Sequence, residues 1–404
     1  MRELSIQIPN TSESLARKLE AFILGGTFWP DQPLAPERQL ALEFDVSRTT
    51  LRTALAQLTS RGMLTLRSRK HYVTPLLFDV LRPGLIPVSK TEPEHLLDYW
   101  LHLFCDAVQL AAQKARSSDR ANLQTALAEV HTQILSTNPE DSMTAFLHLA
   151  RVVFDSCYNF FLAQTHLALV EAMHPALKRG ILHMTQDILA DPSEFRTLAE
   201  LAEFQAEHAD WRALFGLELP VPGEAKAPDQ VACDPAQLIA VVTGNSLALE
   251  ALYELRLLTE SRAAESAASH VSPENARALQ SLLERMTVTL DTAPDRYSQL
   301  DTELHALVAR TSSNPFFGVS NATLAPVLAS ITRVWLDRHL QIQKDQSVIH
   351  QQHVDIVAAI CAGQGRRASQ AMQEHLDYVL RGLRLLRQQD GLAEIATARR
   401  LLTK

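Results

Sequence analysis

The chain has little cysteine, little glycine, few aromatics and no long apolar run. Its four cysteines among 404 residues, Cys105, Cys157, Cys233 and Cys361, stand far apart. That excludes a disulfide framework and any paired-cysteine zinc motif. Free thiols in a reducing cytoplasm are the expectation. Only 13 glycines and 6% aromatics, against plentiful Ala, Leu, Glu, Gln and Arg, favour helix. No stretch of about 18 or more apolar residues exists, so no membrane span or membrane partner is predicted. The opening Met1-Arg2-Glu3-Leu4-Ser5 lacks the apolar core of a signal peptide, and a cytoplasmic location is expected. What is present, a 46% hydrophobic fraction, suffices for full cores, and the length points to roughly two or three domains.

Charge is unevenly spread. The whole chain carries −8, yet residues 1–75 hold ten Lys/Arg against seven Asp/Glu, which leaves −11 for the remainder. From Asp45 to Val73 there are six Lys/Arg and one Asp. In the same stretch Leu40, Ala41 and Phe44 have helical spacing, and Asp45-Val46 is a tight break. Ser47 is a good N-cap for a second helix with an apolar face of Leu51, Ala54, Leu55 and Leu58. Gly62 ends it. Met63–Leu66 and His71–Val73 read as two strands with a basic tip. This is a helix-turn-helix followed by a wing, in which the start of the second helix reaches base edges in the major groove. A small helical subdomain with a solvated basic face has a similar pattern, but concentrated basic charge is the footprint of a phosphate-facing surface.

Pro36-Glu37-Arg38-Gln39-Leu40-Ala41, Val46-Ser47-Arg48-Thr49-Thr50-Leu51-Arg52, Ala54-Leu55, Leu58 and Gly62 resemble the N-terminal domain of GntR-family bacterial transcription regulators, from about Ser14 to Val73. The resemblance implies DNA contacts from Arg38, from Ser47, Arg48, Thr50 and Arg52, and from the wing residues Arg67 and Arg69. The family wing carries glycines at its tip. Here Ser68-Arg69-Lys70 stand instead, which implies a different turn.

Along the rest of the chain, Ser12 to Leu24 reads as a helix with Leu15, Leu19, Phe22 and Ile23 inward. The expected organisation is mainly α: a winged helix-turn-helix over 1–75, then two all-helical bundle domains over 94–217 and 234–390. A Pro-punctuated irregular linker is expected at 76–93, a Pro-rich linker at 218–233, and a tail at 391–404. The two helical stretches resemble each other. Shifting the second back by 156 residues places Leu252 on Leu96, Ala263 on Ala107 and Leu279 on Leu123. After a one-residue gap, Asn314-Pro315-Phe316 falls on Asn159-Phe160-Phe161. An internal duplication is the expectation.

Asp301 and His305 are four apart and share a helix face. His353 and His375 lie on later helices, separated by the break at Gly363-Gln364-Gly365. One carboxylate and three imidazoles suit a divalent metal: zinc first, with nickel, manganese or iron as alternatives. His350, one turn from His353, is the rival ligand, and a lone helical histidine is commonly just packed or exposed. The order Asp301-x-x-x-His305, Ser313-Asn314, His353-x-x-Ile356-x-x-Ala359-Ile360-x-x-Gly363, Ala371-Met372-x-x-His375-Leu376 is similar to the sensor (FCD) domain of FadR-type GntR regulators, over about Leu252 to Leu380. That resemblance implies metal binding by Asp301, His305, His353 and His375. It also implies a small carboxylate effector, with Arg256 and Asn314 as effector contacts. In the first copy Trp100, Phe146 and Ala150 fall where Arg256, Asp301 and His305 are, so loss of metal binding there is expected.

The expected function is a DNA-binding transcription regulator, not an enzyme. It should act as a homodimer on a double-stranded operator and respond to a metabolite. The alternatives are a metalloenzyme using the Asp/His site to activate water, or a scaffold that binds no DNA.

Overall fold

The computed structural model describes residues 12–24, 28, 33–74, 76–91, 93–134, 139–173, 236–244, 246–290, 292–343 and 347–402. The first ten residues, the Trp29-Pro30-Asp31 loop, Cys233 and the 218–233 linker lie outside these, as does the end of the 94–217 domain.

The N-terminal module comprises α1 (Ser12–Leu24), α2 (Glu37–Glu43), α3 (Arg48–Ser60), β1 (Leu64–Arg67) and β2 (Lys70–Val73). Leu15, Leu19 and Ile23 of α1 are buried, as are Leu51, Ala54, Leu55 and Leu58 of α3. Asp45 takes the left-handed conformation (φ 51°) that breaks α2 from α3, one that Asp tolerates better than most residues. Ser47 caps α3, its Oγ accepting the Thr50 N–H at 3.0 Å. Arg67 opposes Lys70 across the hairpin, so only Ser68 and Arg69 form its turn. Both have positive φ, 48° and 63°. That is the backbone of a two-residue primed turn, whose twist matches the flanking strands, built here without glycine.

Residues 76–93 are not an irregular linker. Leu76–Thr91 is a helix, α4, with Pro83 and Pro87 inside it. The two prolines are four apart and exposed, whereas Leu77, Leu81, Leu85 and Val88 are buried. Burial of this leucine stripe against the following domain outweighs the local penalty of proline, which is about 3 kcal/mol for a helix interior.

The helices α5 (Pro93–Lys114), α6 (Ser117–Ile134), α7 (Pro139–Ser156) and α8 (Phe160–Ala172) make the first bundle. After the undescribed segment come α9 (Ala236–Gly244), α10 (Ser246–His270), α11 (Pro273–Thr289), α12 (Pro294–Thr311), α13 (Pro315–Gln343), α14 (Ser347–Cys361) and α15 (Gly365–Leu402). α10 is the spine of the second bundle and packs against α12, α14 and α15. It also touches α1, which ties the winged module to this bundle. α15 runs through the segment expected to be a separate tail. Gly391 does not stop it, because one helix glycine costs only about 1 kcal/mol relative to Ala. Among the described residues no helix is long and apolar enough to cross a membrane.

Candidate metal centre and DNA-binding face

Ser47, Arg48, Thr50 and Arg52 cluster at the exposed start of α3. Arg38 is exposed on α2, and Arg67 and Arg69 are exposed at the wing. Several of these residues are already engaged, Arg67 over the Tyr72 ring among them. The hydroxyls of Ser47 and Thr50 lie 2.8 Å apart within the cap, and Arg52 Nε donates to Glu37 Oε2 at 2.7 Å. The Arg52 side chain is 68% exposed. Such a surface pair is worth about 0–1 kcal/mol, so a phosphate or base edge can displace Glu37 at little cost.

The second bundle brings the four expected ligands together. Asp301 and His305 come from α12, His353 from α14 and His375 from α15, all buried. One ligand atom from each lies within 4.8 Å of every other. Each imidazole is held by its Nδ1. His305 Nδ1 meets Glu260 Oε2 at 2.5 Å, His353 Nδ1 meets the Tyr297 hydroxyl at 3.2 Å, and His375 Nδ1 meets Gln352 Oε1 at 3.1 Å. The acceptor oxygens of Glu260 and Gln352 hold a proton on Nδ1 of His305 and His375 and leave Nε2 as the ligating atom, whereas the Tyr297 hydroxyl can donate or accept at His353. His305 Nε2 and His353 Nε2 are accordingly buried without a hydrogen-bond partner. His353 Nε2 also lies 3.0 Å from Asp301 Oδ1, an ionic contact within the cluster. Buried polar atoms are normally paired, and an orphaned imidazole nitrogen on His305, next to the His353 Nε2 and Asp301 pair, fits a divalent cation.

The electrostatics agree. Burial, together with the charges of His353, His305 and Arg256, pushes His375 well below the ordinary imidazole range. It is therefore neutral at pH 7, the form that ligates. Burial alone would raise the Asp301 carboxyl, but the neighbouring His353, His305 and Arg256 outweigh that and hold it below its usual value. Glu260 is likewise opposed by burial, yet Arg256 and His305 bring it down to about 2.

Arg256 and Asn314, expected at the effector, have other partners. Arg256 is 4% exposed, and its Nε and Nη2 hold the two oxygens of Glu260 at 2.6 and 3.3 Å. It acts on the metal cluster through Glu260 and His305. Asn314 Nδ2 donates to the His95 carbonyl at 2.8 Å and to Asp98 Oδ2 at 2.9 Å, so it joins the two bundles. His350 is outside the cluster, bonded to Thr287 at 3.0 Å. Sequence reasoning missed Glu260, Tyr297 and Gln352. Glu260 was recoverable: it lies four residues after Arg256 on the same helix. A separate small cavity between the bundles is lined by Tyr99, Thr165, Thr259, Glu260, Ser320 and Asn321, with none of the four metal-type ligands.

A winged module with a cationic reading helix, joined to a helical domain with a buried ligand centre, defines a ligand-responsive DNA-binding regulator. The comparisons place it further. The family of bacterial regulatory proteins called gntR matches residues 11–72, and the FCD domain matches residues 251–378. The chain thus carries a gntR-type DNA-binding domain followed, after an intervening segment that neither match covers, by an FCD domain, the effector-binding part. An uncharacterized HTH-type transcriptional regulator of Escherichia coli K12, YieP, is 26% identical over 218 residues, 46% of this chain and 95% of that protein. The putative L-lactate dehydrogenase operon regulatory protein of the same organism is 25% identical over 198 residues, 47% of this chain and 73% of that one. The HTH-type transcriptional repressor NanR of Salmonella newport is 32% identical over 126 residues, 31% of this chain and 47% of that one. The family and these relatives are regulators, not enzymes.

Proposed function

We infer that this regulator's operator affinity is set by a small carboxylate metabolite bound at a divalent-metal site made of Asp301, His305, His353 and His375. The observation that carries this reading is the buried His305 Nε2, which has no hydrogen-bond partner, beside His353 Nε2 and the Asp301 carboxylate, with both rings anchored from behind through Nδ1. A cation held there supplies a Lewis-acidic position on which an anionic ligand completes the coordination. The chain's own part is to present three imidazoles and the Asp301 carboxylate in a fixed orientation, with Arg256–Glu260 behind His305. The winged module grips phosphates and base edges through Arg38, Arg48, Arg52, Arg67 and Arg69, with Ser47 and Thr50 at the start of the reading helix. A dimer of chains covers a pseudo-palindromic operator, because one winged helix covers one half-site. The effector shifts DNA affinity by binding two states of the protein unequally.

Gel-shift titration on the chain's own promoter region tests this. Arg48→Ala and Arg52→Ala are expected to weaken binding at least tenfold, the scale of about 1–3 kcal/mol for a good base contact. His305→Ala leaves ligand-free DNA binding nearly intact and removes its response to metal. Equal losses in all three variants would overturn the division of labour.

A further inference from the structure

We propose that residues 93–172 are a second, metal-free copy of the fold at 246–343, and that the two copies pair within one chain about an internal pseudo-twofold axis. Neither family match covers the first of these segments.

The helix boundaries carry the first part of the argument. α6, α7 and α8 begin at Ser117, Pro139 and Phe160, and α11, α12 and α13 at Pro273, Pro294 and Pro315. The spacings agree to within one residue. The contacts between the halves carry the second part. Asn159 Nδ2 donates to the Ala251 carbonyl and to Glu254 Oε2, both at 2.9 Å. Asn314 Nδ2 donates to the His95 carbonyl and to Asp98 Oδ2. In the alignment of the halves Asn159 corresponds to Asn314, His95 to Ala251, and Asp98 to Glu254. Each half thus offers its asparagine to the same carbonyl and carboxylate positions of the other. Both asparagines also use Oδ1 to accept the N–H of the helix that follows. On the axis itself Asp106 and Arg262, corresponding positions on α5 and α10, meet at 3.4 Å. Reciprocal contact of matching residues is the signature of an isologous interface, found here inside a single polypeptide.

The metal-site positions carry the third part. Trp100, Phe104, Phe146 and Ala150 stand where Arg256, Glu260, Asp301 and His305 stand. Trp100 stacks on Phe104 at 5.3 Å, and Phe146 sits edge-on to both. An apolar stack fills the space that the other half gives to ion pairs and ligands. The partner of the sensor's pairing face is therefore the chain's own first half. Two chains on an operator meet through another surface, and each chain holds one metal.

The test uses the full chain and does not depend on DNA binding. Asp106→Arg and Arg262→Asp should each lower the thermal midpoint, and the double variant should recover it. Mixing the two single variants should recover nothing, because the partner is in cis. Asn159→Ala and Asn314→Ala, milder changes on opposite sides of the axis, should lose similar amounts. Zinc titration of metal-stripped protein should saturate at one equivalent, absent in His305→Ala. Recovery on mixing would place the interface between chains. No loss in any of the four single variants would remove the interface, and two zinc equivalents would refute the metal-free copy.

Discussion

The two helical halves solve one packing problem with opposite chemistry. Around Trp100 the first half uses an aromatic stack, with Trp100 Nε1 donating to His166 Nδ1 at 3.0 Å. Around Arg256 the second half uses a buried polar chain, Arg256–Glu260–His305, ending on the Asp/His cluster. Helix boundaries are nearly the same in both. The scaffold therefore does not require the ligand site. The site is an electrostatic specialisation of a fold that an apolar core supports equally well. A buried ion pair is weak evidence for stability.

The comparison breaks most visibly if each half is cut at its centre. Trp100→Ala should destabilise by about 3–5 kcal/mol, through the cavity it leaves and the lost partner of His166. Glu260→Ala should cost a similar amount, about 3–5 kcal/mol, for a different reason: Arg256 is left buried and unpaired. Urea melts measure both. Only the Glu260 variant should also lose zinc affinity, and if Trp100→Ala lost it equally the two halves would not be chemically separate. A smaller effect sharpens the contrast. Zinc at about 100 times its dissociation constant should raise stability by about 2.7 kcal/mol, and no part of that gain should remain in His353→Ala.

The least conspicuous effect is acid sensitivity. Burial, and then the Arg151 charge, pushes His166 down to about 3 from its ordinary 6.5. Below 6.5 the unfolded chain takes up a proton that the native site refuses, so stability falls as the pH is lowered from 6.5 toward 3. His166→Asn keeps an acceptor for Trp100 and cannot titrate. It should flatten that part of the denaturation midpoint against pH, and an unchanged profile would mean that His166 does not contribute.

Much of this was written locally. Ser47 caps α3 because a hydroxyl one residue ahead of a helix finds the Thr50 N–H wherever the helix goes. Asp301 and His305 share a face because four residues make about one turn. The wing strands were legible, but the tip was not: Ser68 and Arg69 enter the left-handed region only because the register of Leu64 with Val73 leaves two residues to close the hairpin. α4 was misread because Pro83 and Pro87 argue against a helix when the surface that buries Leu77, Leu81 and Leu85 is not in view. Arg256 reads as free for an anion until Glu260, one helical turn on, is seen to hold its Nε and Nη2.

The sequence by itself determined most of the helices, the Ser47 cap and the shared face of Asp301 and His305, since these depend on residues within a turn or two of each other. The tertiary structure decided which faces meet. Asn159 and Asn314 each accept an N–H from the helix that follows, a local contact. Only docking one half against the other hands their second amide contacts to positions 251, 254, 95 and 98, because burial selects the pairing that leaves those polar groups satisfied.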